Sequence, residues 1–178
     1  MTTVPRNYLG GDYSRYIDSI PDLIPFNIKS IGEEAFKELW WESINIPSNV
    51  YKIGAAAFKD AYSNKIILNE GLKEIGNAAF MYCSNLEEIR IPNSVETLGY
   101  NCFSQSGLKK LYIGSNVKEL CNKQFDFCSD LEDVTYNGTI EQLKLLADDG
   151  RLFPRFFTDC SKLKFIKCTD GNYEIVRK

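Results

Sequence analysis

The sequence contains no histidine among its 178 residues, which removes the side chain most often used as a general base or metal ligand near neutral pH. Six cysteines are present, but none forms the CxxC pair that is typical of zinc sites and redox-active thiols. A cysteine nucleophile also needs a neighbouring base, which histidine usually supplies. We therefore expect no metal, no cofactor and no catalytic residue, and we interpret the chain as non-enzymatic.

Long apolar runs are also missing. The longest apolar runs span only a few residues, as in KIIL at 65–68, whereas a membrane-spanning helix needs about 20. The opening MTTVPRNYLGGDYSRYID lacks the basic start and apolar stretch of a secretory signal. We expect no membrane insertion, reduced thiols, and a place in the cytoplasm or in a larger assembly rather than outside the cell.

The charge balance argues against a nucleic-acid partner. The chain has 21 Lys and Arg against 24 Asp and Glu, a net charge of −3, and no basic stripe interleaved with aromatic residues. Acidic pairs such as Glu87 and Glu88 recur at one repeat position, so we interpret them as part of a solvated face. The triplet Asn137-Gly138-Thr139 formally fits a glycosylation acceptor, and we interpret it as a turn.

Phenylalanine recurs at nearly constant intervals along the chain. Five of them are spaced 22, 22, 23 and 22 residues apart: Phe36, Phe58, Phe80, Phe103 and Phe125. Eight or nine residues after each one come two apolar residues two positions apart, as in Ile44 and Ile46. This spacing places both side chains on one face of an extended strand. The pattern predicts a repeat of 22 to 23 residues with one short strand in each unit.

The repeat continues at both ends of this array. IPFNIKSI at 24–31 matches IPSNVYKI at 46–53, and Phe157 begins a further unit after a longer interval. The inserted segment TIEQLKLLADDGRLFPR has near-helical apolar spacing and predicts a short helix. Because no unit can bury its apolar face alone, stacked units form one core. We predict an α/β repeat solenoid of one domain, 1–178, with a cap or arm in 1–23, repeats in 24–136 and a helix-bearing capping repeat in 137–178.

The stretch IGNAAFMYCSNLEEIRIPNSVETLG, at 75–99, resembles the repeat of the BspA-like leucine-rich repeat family. The endings YNGTIEQLKLL and KFIKCTDG are similar to the last unit of many such proteins. The resemblance runs from about residue 24 to residue 168. It implies a right-handed coil of parallel strands with short helical or irregular segments opposite. It also implies a non-catalytic binding scaffold, and adhesion to host or bacterial proteins is described for some secreted members.

All six cysteines fall in repeat positions that have a structural use. Three share one position with Leu39, Ala61 and Ser106: Cys83, Cys128 and Cys160. The others occupy an alanine position, a glycine position and an apolar strand position: Cys102, Cys121 and Cys168. Because free cysteine behaves as a small apolar residue in protein cores, we interpret these thiols as packing residues.

The strand residues that alternate with the buried ones form the surface on which a partner protein would bind. These candidates are Lys65, Ile67, Glu88, Arg90, Lys110, Tyr112, Asp133 and Phe165. Arg90 beside Tyr112 is the best candidate patch, because both residue types are common interface anchors. The alternative is an ordinary mixed surface. In the N-terminal segment, Tyr8, Tyr13 and Tyr16 belong either to a cap over the first coil or to a docking arm.

Two non-enzymatic hypotheses follow from these features, and a third follows from the resemblance. The first is a protein-interaction module that binds another protein through the strand face or an end. The second is a structural or accessory subunit of a larger assembly, such as a bacteriophage particle. Its partners would then be other subunits of the assembly or further copies of this chain. The third is a cell-surface adhesin without a visible signal peptide.

Overall fold

The computed structural model describes residues 3–4, 24, 27–118, 120, 123–146 and 156–175. In this part of the chain the backbone winds into stacked coils built mainly of short strands. The elements in chain order are β1 (Thr3–Val4), β2 (Ser30–Ile31), β3 (Ser43–Ile46), β4 (Lys52–Ile53), β5 (Lys65–Leu68), β6 (Glu74–Ile75), β7 (Glu88–Arg90), β8 (Thr97–Leu98), β9 (Lys110–Ile113), β10 (Asp133–Tyr136), α1 (Ile140–Leu145), β11 (Phe165–Cys168) and β12 (Gly171–Glu174).

The longer strands lie on one face of the solenoid and run parallel. β3 pairs with β5, while β7, β9, β10 and β11 form a second row that the antiparallel β12 closes. Exposed and buried residues alternate along them, as in β5, where Ile66 and Leu68 are buried and their neighbours are exposed. This alternation follows from the opposite directions of successive strand side chains. The predicted leucine-rich-repeat-type coil of parallel strands is confirmed.

A second strand of only two residues appears in most coils, and the sequence pattern did not predict it. The short strands β1, β2, β4, β6 and β8 form a parallel sheet of their own. Their register repeats from coil to coil, with Lys52 opposite both Ser30 and Glu74. Two residues are too few to show a strand period in the sequence.

The phenylalanine of each repeat lies in an irregular segment that is bonded to the next coil. Around Phe80, the residues two before and two after it have left-handed backbone angles, with φ of 54° at Ala78 and 63° at Tyr82. The N–H groups of these three residues donate to carbonyls of the following coil at 2.8, 2.7 and 3.1 Å. Since an α-helix directs its N–H groups to its own preceding turn, this segment is not helical.

The phenylalanine side chains stack into one column along the solenoid axis. Successive ring centroids lie 5.3, 5.3, 5.2, 5.7 and 5.1 Å apart from Phe36 to Phe157, with nearly parallel planes. Glycine accompanies this column where neighbouring coils approach closely. A Cβ atom on Gly76 would lie 2.7 Å from the backbone nitrogen of Ala55 in the preceding coil. The repeated glycine is therefore required by close backbone approach.

The last unit contains α1, the only helix among the described residues. Its N-cap is Thr139, whose side chain accepts from the Gln142 N–H, while the Gln142 side chain accepts from the Thr139 N–H. This reciprocal capping box satisfies two backbone donors at the start of the helix. The Asn137-Gly138-Thr139 triplet thus leads into a capped helix, within the insertion where the sequence predicted one.

The N-terminal segment falls mostly outside the described residues. Thr3 and Val4 pair with Ser30 and Ile31, and so extend the sheet of short strands by one member. The candidate arm residues Tyr8, Tyr13 and Tyr16 lie outside the described part of the chain, as does Cys121. The division of 1–23 into a cap or a docking arm stays a prediction.

Candidate functional site on the strand face

The strand face is defined here as the outward residues of β3, β5, β7, β9, β10 and β11. The structure brings all eight candidate strand residues onto it. The exposed ones are Lys65, Ile67, Glu88, Arg90 and Lys110, and the half-buried ones are Tyr112, Asp133 and Phe165. Between β7 and β10, side chains one repeat apart stand directly opposite one another, because the strands are parallel and in register.

Arg90 and Tyr112 form a cation–π contact on this face. The two residues are opposite one another on β7 and β9, and the Arg90 guanidinium carbon lies 3.5 Å from the centre of the Tyr112 ring. The guanidinium also donates from Nε to a carboxylate oxygen of Glu88 at 3.1 Å, and Nη2 forms an ion pair with the same oxygen at 3.1 Å. Stacking on the ring and pairing with the carboxylate restrict the arginine from two sides.

Two grooves meet at Arg90. A groove of about 450 Å³ lies between β5 and β7 and is lined by residues 64–68, Glu87, Glu88 and Arg90. A second groove of about 310 Å³ lies at the carboxyl ends of β7, β9 and β10, and Tyr112 and Asn137 are among the residues that line it. The arginine and its tyrosine partner thus stand beside concave surface on two sides.

The larger groove coincides with a gap in hydrogen bonding that sequence analysis missed. No backbone hydrogen bond joins β5 to β7 in the described part of the chain, although the two strands are one repeat apart. The loop before β7 is one residue longer than the loop before β5. This extra residue does not by itself cause the gap, because the loop before β10 is equally long and β10 pairs with β9. No pattern in the sequence signals the gap.

Ion pairs across neighbouring coils occupy much of the charge on and around this face. Lys109 contacts Glu87 at 2.5 Å and Lys167 contacts Asp133 at 2.9 Å. In the described ranges, Lys65 and Lys110 form no ion pair, so their ammonium groups are open to an incoming ligand. The Lys109–Glu87 and Lys167–Asp133 ion pairs are exposed, so each one adds little to stability.

An exposed aromatic pair was also missed. Trp40 and Tyr62 are 53% and 42% exposed, and their ring centroids lie 4.0 Å apart in a stacked arrangement. Each stands four residues after a repeat phenylalanine, just before β3 and β5. An aromatic residue at the same repeat position in consecutive units was the signal that could have found them.

The cysteines that the structure describes are placed for packing. Cys83 is fully buried, and its Sγ lies 3.2 Å from the carbonyl oxygen of Phe58 in the preceding coil. Cys128 and Cys160 make the same contact with Phe103 and Phe125. Burial raises the pKa of Cys83 to about 12, so that thiol is not ionised near neutral pH. The thiol hydrogen bonds connect one coil to the next.

Among the described positions, no group of three or more cysteine, aspartate or glutamate side chains is arranged to hold a metal ion. In that same portion of the chain, no helix has the length and apolar character needed to cross a bilayer.

The chain is similar to a family of repeat proteins and to several solved structures. Residues 16–132 match the family model described as BspA type leucine rich repeat region, in six copies. The chain is similar to a leucine-rich repeat protein from Bacteroides ovatus ATCC 8483, with a TM-score of 0.60 and 26% identity over 78% of this chain and 34% of that protein. No curated protein matches the chain.

Two further solved structures are similar to this chain. The pneumococcal vaccine antigen PcpA has a TM-score of 0.50 and 20% identity, over 93% of this chain and 56% of that one. A leucine rich cell surface protein from Faecalibacterium prausnitzii A2-165 has a TM-score of 0.45 and 18% identity, over 86% and 56%. The chain therefore spans between about a third and just over half of the length of these proteins.

Proposed function

Because this chain belongs to the family of BspA-type leucine-rich repeat proteins, we propose that it is a non-catalytic module whose strand face binds another protein around Arg90 and Tyr112. The observation that carries the proposal is the stacked arginine and tyrosine pair, which stands where two grooves meet. Arginine and tyrosine are among the residues that contribute most to protein interfaces.

The contacts of Arg90 also support this function. Arg90 lies against the Tyr112 ring and the Glu88 carboxylate in the arrangement that it would present to a partner. Ordering a flexible side chain at an interface costs about 0.5–1.5 kcal/mol. The two contacts lessen that loss.

The test is capture of partner proteins with the immobilised chain, followed by titration of each recovered partner against purified variants. We expect Arg90→Ala with Tyr112→Ala to weaken binding by about 2 kcal/mol or more, which is roughly thirtyfold. Tyr100→Ala is the matched control, because Tyr100 is 55% exposed but lies in an irregular segment away from the strand face. Circular dichroism confirms that each variant is folded.

A deletion variant separates this proposal from the assembly-subunit alternative. If binding survives the Arg90 and Tyr112 double change but is lost when residues 1–18 are removed from a protein that stays folded, attachment is through the N-terminal arm. That result would contradict the proposed strand-face function.

A further inference from the structure

The groove between β5 and β7 is a wedge that opens only toward solvent. On the sheet of short strands, the same two coils are bonded in register, with Glu74 opposite Thr97. In the core, Phe58 and Phe80, which precede β5 and β7 in these coils, stack at 5.3 Å, as closely as the neighbouring pairs. A complete additional strand needs about 4.8 Å of extra spacing, which these bonded faces do not allow. A ligand therefore lies in the mouth of the wedge.

The two walls of the wedge differ in what they leave available. On the β7 wall, the carboxylate of Glu87 is paired with Lys109 and that of Glu88 with Arg90. On the β5 wall, Lys65 forms no ion pair with any residue that the structure describes, and Ile67 is 39% exposed. The groove thus presents one unpaired ammonium group and one apolar side chain, two positions apart on the same strand.

From this arrangement we infer that the wedge binds an extended peptide segment of the partner protein that carries a carboxylate and an apolar side chain two positions apart. Side chains at positions i and i+2 of an extended chain project to one side about 6.6–6.8 Å apart, which is the spacing of Lys65 and Ile67 along β5.

Charge gives the site its selectivity. A carboxylate meets the unpaired Lys65, whereas a basic side chain at that position is repelled by it. The carboxylates of the opposite wall do not attract such a basic side chain strongly, because Lys109 and Arg90 neutralise them. This inference rests on the proposed function, since it names the kind of segment that the strand face recognises.

The experiment uses a displayed library of random linear decapeptides, selected against the folded chain and then synthesised for titration by fluorescence anisotropy. We expect the selected peptides to share an acidic residue two positions from an apolar residue. Lys65→Glu should weaken their binding at least tenfold, and replacing the peptide's acidic residue with lysine should restore binding to that variant. Ile67→Ser should weaken binding of the same peptides while leaving their charge preference intact.

Lys123→Glu is the matched control, because Lys123 is also exposed but lies in an irregular segment away from the strand face. At physiological salt, charges farther apart than about 8 Å are largely screened, so we expect less than a threefold effect. An equal loss with Lys65→Glu and Lys123→Glu would overturn the wedge as the site. Selection of peptides without the acidic residue, or of none above an unrelated control protein, would overturn the inference too.

These failures are distinct from failure of the proposed function. If a captured protein partner still depends on Arg90 and Tyr112 but is insensitive to Lys65→Glu, the strand face binds and the wedge does not. If the partner is insensitive to the Arg90 and Tyr112 changes, the proposed function itself fails.

Discussion

Two adjacent alanines should respond in opposite directions to the same substitution by glycine. Ala78 has a left-handed backbone, with φ of 54°, and is half-buried. Ala79 is fully buried beside the phenylalanine column and is not among the residues with positive φ. The pair therefore compares a left-handed position with a buried position under the same substitution.

The expected magnitudes follow from the two environments. A left-handed backbone costs a residue with a Cβ about 1–2 kcal/mol, and glycine avoids this but loses about 0.5–1 kcal/mol through greater freedom in the unfolded chain. Ala78→Gly should therefore stabilise the fold by about 0.5 kcal/mol. Ala79→Gly loses the same conformational entropy and also a buried methyl group worth about 0.8 kcal/mol, so it should destabilise by about 1.5 kcal/mol.

The measurement is urea unfolding of both variants and the wild type, followed by far-UV circular dichroism. The difference of about 2 kcal/mol between the variants exceeds the uncertainty of linear extrapolation when the slopes agree. Equal destabilisation by both substitutions would refute the reasoning, because it would mean that position 78 does not hold a strained left-handed conformation in solution.

Three other perturbations test the core, the surface charges and the thiols. Phe80→Ala should cost about 3–5 kcal/mol by urea unfolding, because it removes a fully buried ring, whereas Phe165→Ala, at a half-buried position, should cost far less. Lys118 and Lys73 lower the pKa of Glu96 to about 2, so its stabilisation is present above pH 4.5 and disappears as the pH falls toward 2. Glu96→Gln should flatten the unfolding midpoint over that range, and an unchanged profile would contradict the pairing. Mass spectrometry after thiol labelling at pH 8 should find Cys83 unmodified in the folded protein and modified in urea, because burial suppresses its thiolate; rapid labelling of the folded chain would contradict that burial.

The sequence predicted the features that depend on large side chains at repeated positions. Phe36 and Phe58 fill the core once per coil, and the apolar pairs of each strand must face that core, so both patterns are visible in the residue order. The helix at Ile140–Leu145 was also predictable, because its apolar spacing is helical and differs from the strand spacing around it.

The features that the sequence did not reveal depend on contacts between coils. The left-handed positions hold residues as different as Glu34, Asp60 and Phe127, since hydrogen bonds to the next coil, and not a preference of the residue, fix their backbone. The two-residue strands are too short to show a period. The gap between β5 and β7 arises from how two coils meet, and units with the same loop lengths pair normally elsewhere.

Hydrogen exchange of the backbone amides, with and without a bound partner, tests the central claim most directly. If the strand face is the binding surface, protection should increase in 65–68, 88–90 and 110–113, around the Arg90 and Tyr112 pair. Exchange in the irregular segments at 55–60, 77–82 and 100–105 should stay unchanged, because they face away from the site. Protection confined to those irregular segments, or to the N-terminal residues, would contradict the claim.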